Sequence, residues 1–179
     1  MWIRPGGPLA KAMGAGTIIY FSPGLKGSGR NFQNLLKHEL SHCVRYQNTS
    51  LLNVLKYFGT SGELHWLDEC VAVYYGNASD YPDVKEFRKL AVERGYLFRI
   101  MDKATVEKIP IKIRHMFRYA EYNFFFAYLV CKFGKDVVMD YVKKTMKKPH
   151  RSNELFKFLF DLSFSNVVKD FEQAVLSGT

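Results

Sequence analysis

Residues 38–42 read His38-Glu39-Leu40-Ser41-His42, inside a stretch whose pattern is helical. Phe32, Leu35, Leu36, Leu40, Cys43 and Val44 recur at three- and four-residue steps, the period of one helix face. Asn31 precedes them as a candidate N-cap. On a helix, residues four apart lie one above the other. Two imidazoles at that spacing can ligate one zinc ion. A glutamate beside them can hold and deprotonate a water on the metal. The alternative is a helix that happens to carry two histidines.

A catalytic zinc needs a third protein ligand and an open fourth position. Further along, the chain reads Trp66-Leu67-Asp68-Glu69-Cys70-Val71-Ala72-Val73-Tyr74-Tyr75. Trp66, Leu67, Glu69, Ala72 and Tyr74 resemble the W-L-x-E-G-x-A-x-Y signature of the gluzincins. These are zincin metallopeptidases whose third zinc ligand is a glutamate on a second helix. The resemblance implies His38, His42 and Glu69 as metal ligands, Zn2+ as cofactor and Glu39 as general base. The chain departs from the signature at Cys70, where the family usually has glycine.

Downstream, Tyr119-Ala120-Glu121-Tyr122 and the apolar stretch to Phe133-Gly134 resemble the next helix of the aminopeptidase-like branch. The resemblance implies Tyr119 as a hydrogen-bond donor to the oxyanion, with Tyr122 in reserve. Aromatic stripes are also common core, and that reading stays open. His115 lies one turn earlier and could face the same cleft. Met13-Gly14-Ala15-Gly16 occupies the place of the branch's G-x-M-E-N segment but lacks its glutamate. Removal of single N-terminal residues is therefore not expected.

Each ligating histidine needs an acceptor for its second ring nitrogen. Some gluzincins place an aspartate four residues after the ligand glutamate, where this chain has Val73. Asp68 or a backbone carbonyl would take its place. His65 could approach the metal if its helix began one turn early. Cys43 follows His42 and Cys70 follows Glu69. They are either two thiols meeting behind the metal or two small buried hydrophobes.

The rest of the chain fits one domain over residues 1–179. Residues 1–30 form a β/loop part, with one strand expected at 17–21. Residues 31–179 form a helical body. Further helices are expected at 51–58, 66–75, from Pro82 to Gly95, 114–133 and 136–147. Ser152 and Ser165 are expected to cap two closing helices. The fold class is α+β, mostly α, and zincin-like. Only 37 residues precede His38, fewer than the fuller sheet of related domains requires. The expectation is a minimal domain, or one cut from a longer chain.

Composition narrows the function classes. Hydrophobic residues are 47% and charged residues 24%, ordinary for a globular protein and unlike a disordered one. No apolar run reaches the roughly 20 residues that span a bilayer. No signal peptide is recognisable, so location stays open. The net charge of +9 permits an anionic partner, but no nucleic-acid-binding motif accompanies it. Lys143, Lys144, Lys147, Lys148 and Arg151 are its densest cluster, and a solvated helix end explains them. The expected function is therefore a zinc-dependent peptidase, endopeptidase-like, acting on a peptide or protein substrate. The alternative is an inactive zincin-fold binding module that uses its cleft or basic face.

Overall fold

The computed structural model describes residues 10–13, 18–21, 31–49, 65–76, 81–97 and 109–178, and these are mostly helical. Two four-residue segments, β1 (Ala10–Met13) and β2 (Ile18–Phe21), pair antiparallel with Ala10 opposite Phe21. The helix expected at 51–58 and most of the Met13-Gly14-Ala15-Gly16 segment lie outside the described residues.

Helix α1 (Phe32–Gln47) starts at Asn31, whose side chain accepts from the Gln33 and Asn34 N–H groups. That capping satisfies donors the first turn cannot pair internally. Helix α2 (His65–Gly76) begins one residue before the expected start. Helix α3 (Val84–Glu93) is capped by Asp83, which accepts from Glu86 N at 2.8 Å. Helix α4 (Ile111–Phe133) is the longest and starts three residues early, directly after Pro110. Gly134, at φ 85°, ends α4 and leads into α5 (Lys135–Lys147). A side chain is rarely tolerated at that backbone angle. A short 3-10 turn then enters α6 (Ser152–Phe160), and α7 (Phe164–Ser177) closes the chain.

Two expected caps are corrected. Ser152 has helical angles and donates its N–H to Pro149, so it is the first residue of α6 and not its cap. The preceding 3-10 turn has already begun the spiral. At α7 the cap is Ser163, whose hydroxyl accepts from Asn166 N at 3.2 Å. Ser165 falls inside the helix and meets the Ser163 hydroxyl instead.

The core forms where α2 and α4 meet α5, α6 and α7. Leu67, Phe117, Phe125, Phe126, Leu129, Val138 and Phe156 are fully buried there. Trp66 packs edge-on against Phe125 and also contacts Phe164. Each such side chain contributes roughly 1.5–3 kcal/mol by leaving water. Helix α2 is thus fixed on one side by this core. On its other side it packs along α1.

Helix α1 turns a different face inward from its apolar stripe. Phe32, Leu40 and Val44 are 49%, 45% and 57% exposed, whereas Asn34, Glu39, His42, Cys43 and Arg45 are buried. Buried polar groups are costly unless partnered, and α2 carries the partners of His42 and Arg45. Pairing across the two helices thus overrides the hydrophobic period.

Gly76 sets how closely these helices approach. A Cβ built there would lie 3.0 Å from His38 Cβ and 3.3 Å from the Asn34 carbonyl oxygen. Neither neighbour can swing aside, because both belong to the α1 rod. We expect Gly76→Val to lower unfolding stability by about 1–3 kcal/mol, the usual cost of overpacking. Urea denaturation measures it. Stability equal to that of the unaltered chain would contradict the close packing.

Candidate metal centre

The ladder Asn34, His38, His42 and Tyr46 runs along α1 at four-residue steps. Its two histidines point their Nε2 atoms at one another, 3.2 Å apart. Glu69 on α2 faces them, its Oε2 3.6 Å from His38 Nε2 and 4.0 Å from His42 Nε2. These three residues form a group able to hold a metal ion. A tetrahedral zinc with nitrogen and oxygen ligands at about 2.0–2.1 Å separates its ligand atoms by roughly 3.3 Å. The triangle needs only small closure on its glutamate side to match. Glu69 Oε2 is buried with no hydrogen-bond partner, an expensive state that a cation would relieve. The residues present therefore fit the ion that the sequence implies.

Behind the triangle stands Asp68. Its Oδ2 lies 3.2 Å from His42 Nδ1 and accepts from the Tyr46 hydroxyl at 3.0 Å, while Arg45 approaches Oδ1 at 3.4 Å. Burial alone would raise this carboxyl. Arg45, His42 and Tyr46 outweigh it and hold the group down to about 2. An anionic Asp68 fixes a proton on His42 Nδ1, which leaves Nε2 free as a ligand. Of the two acceptors open at the sequence level, Asp68 is the one beside His42. For the metal-free chain, burial pulls His42 down, but Asp68, Glu69 and Glu39 together hold it at about 9.

Glu39 is buried, 5% exposed, and its charge acts on His42. It therefore lies within electrostatic range of the triangle. Tyr119 reaches the site from α4. Its ring centroid is 5.9 Å from that of His38, and the Glu69 carboxylate acts on its hydroxyl. Burial, and next the Glu69 charge, push its hydroxyl well up, so it stays a protonated donor. Tyr81 stacks on Tyr119 at 5.6 Å, and His115 lies 4.3 Å away on the other ring contact. Tyr122, the reserve candidate, is 4% exposed and belongs to the core.

His65 is the first residue of α2 and half exposed, with Nδ1 3.8 Å from Glu69 Oε1. It faces the oxygen turned away from the triangle. Cys43 and Cys70 are buried free thiols. Burial pushes the Cys70 thiol well up, so it carries no thiolate at neutral pH. Of the basic cluster, Lys144 pairs with Asp140 and Arg151 with Glu154. Among the described residues, no helix is long and apolar enough to cross a membrane.

Sequence reasoning missed Arg45 and Tyr46. A signal for Tyr46 was available, since it continues the four-residue ladder of His38 and His42 and stacks on the latter at 6.2 Å. No family model matches this chain, and comparison with curated proteins and with solved structures gives no match.

Proposed function

We propose that the chain is a zinc-dependent peptidase with a zincin-like arrangement, its small N-terminal β part edging the cleft that receives extended peptide. The observation that carries this reading is the triangle of His38, His42 and Glu69, with one oxygen of Glu69 unpartnered and Asp68 set behind His42. These three residues would hold the ion. A zinc ion there supplies a Lewis acid that polarises a carbonyl and makes water acidic near neutral pH.

The remaining chemistry belongs to side chains. Glu39 takes a proton from the attacking water and delivers it to the leaving nitrogen, as a general base and then a general acid. The Tyr119 hydroxyl turns from Glu69 towards the tetrahedral oxyanion and donates to it. One such donor typically contributes about 3–4 kcal/mol. Asp68 keeps the His42 proton on the far nitrogen throughout. A binding module would have no use for a buried glutamate at position 39, which favours the enzyme over that alternative.

Zinc titration of the chelated protein, followed by cleavage of a peptide library, tests this. Ligation must displace a proton from His42, which is held at about 9 without metal. Affinity is therefore expected to rise by about tenfold per pH unit from 6 to 8 and to level off near 9. Cleavage should vanish with chelator and return with one equivalent of zinc. Cleavage that persists in chelator rejects the proposal.

A further inference from the structure

Arg118 is a partly buried cation with no ion pair among the described residues. Its Nε is buried and has no hydrogen-bond partner. Several other arginines among the described residues approach an oxygen, although Arg45 Nη1 also lacks a hydrogen bond. Arg45 approaches Asp68, Arg88 donates to the Val175 carbonyl, Arg114 donates to the Ile109 carbonyl, and Arg151 pairs with Glu154. Among the described residues, Arg118 meets only two aromatic rings. Its guanidinium carbon lies 5.9 Å from the Tyr119 ring centroid and 5.8 Å from that of Tyr122. Such contacts hold the planar group in place but give its buried Nε no acceptor.

Its location ties it to the candidate site. The Tyr119 ring, which Arg118 contacts, lies 5.9 Å from that of His38, and both Tyr119 and Tyr122 feel the Glu69 charge and the Arg118 charge together. The guanidinium is thus within electrostatic range of the donor triangle. A buried N–H without an acceptor is costly, and a bound anion with paired oxygens would remove that cost. Carboxylate is the peptide group that matches a guanidinium fork.

Resting on the peptidase reading, we infer that Arg118 is a specificity residue that binds a carboxylate of the substrate peptide. The carboxylate is either the chain's own C-terminus or an Asp or Glu side chain. The substrate class is then acidic or carboxyl-terminal peptide segments.

The test measures peptide binding to the zinc-loaded Glu39→Gln chain, in which cleavage is expected to stop. One neutral peptide is made in three forms: C-terminal amide, C-terminal acid, and amide with one Gln exchanged for Glu. At least one acid-bearing form should bind about tenfold tighter than the neutral amide, and which form gains identifies the source. Adding Arg118→Gln should bring that ratio to about one. Adding Arg118→Lys should keep part of it, because the charge remains and the fork is lost. The ratio is read within each variant, so a fraction of unfolded protein cannot imitate the result. Equal affinity for all three forms, absence of binding, or a preference that survives Arg118→Gln overturns the inference. Cleavage of the same peptides by the unaltered chain separates the two ideas. Carboxylate preference without cleavage rejects the peptidase and keeps Arg118. Cleavage without the preference does the reverse.

Discussion

Glu39→Gln is expected to lower kcat by about 10³-fold, within the span of general acid–base catalysis, while the chain keeps one metal per molecule. Glutamine has nearly the shape of glutamate, so the buried site should accept it without repacking. It is neutral, however, and cannot take a proton from water. Glu39 is outside the donor triangle, so metal affinity should change far less than turnover. Steady-state kinetics beside metal analysis of the same sample measures both. Undiminished kcat would remove Glu39 from the mechanism. Loss of metal along with activity would instead place Glu39 among the ligands.

Glu69→Ala should act in the opposite order, losing the metal first and activity as a consequence. It removes the only carboxylate of the triangle and leaves two neutral imidazoles to hold a divalent ion. Losing a residue that merely supports a ligand typically costs 10–100-fold in affinity. Losing the ligand itself should cost about 10³-fold or more by the same scale. Asp68 remains, so His42 keeps its orientation and the two histidine nitrogens stay close. Competition titration against a chromophoric zinc chelator measures the change. Affinity within tenfold of the unaltered chain would show that Glu69 is not a ligand.

These two residues were legible in the sequence because their signals are local. The spacing of His38 and His42 needs nothing but helix geometry, and Glu69 sits in a motif on a second helix. The lengths of α4 and α5 and the break at Gly134 were legible for the same reason, since glycine at φ 85° is a local requirement. What depended on pairing between elements was not. The stripe from Phe32 to Val44 marked a helix but not its inner face, because the polar side chains that α2 satisfies cannot be seen along one helix. Arg45 gained meaning only once Asp68 stood opposite it, whereas Tyr46 continued a ladder the sequence already displayed. Gly76 lies just past the helix expected at 66–75, and its missing side chain lets the backbone at His38 come close. Ser152 and Ser165 failed as caps because shifts of one or two residues at helix starts are decided by the turn before them.

Asp68 illustrates how the site joins stability to chemistry. Its pKa, held near 2, means the ionised form stabilises the fold at pH values above the ordinary carboxyl range. That contribution is lost as pH falls towards 2. The same interactions that depress it orient His42. The network is therefore both a strut between α1 and α2 and the support of a candidate ligand.

The central claim is that His38, His42 and Glu69 hold one zinc ion. Equilibrium dialysis against buffered zinc, followed by metal analysis of the protein, tests it most directly. The account predicts one zinc per chain for the unaltered protein and for Glu39→Gln, and none for Glu69→Ala at the same free zinc. Absence of stoichiometric uptake by the unaltered chain, or undiminished uptake by Glu69→Ala, would contradict it.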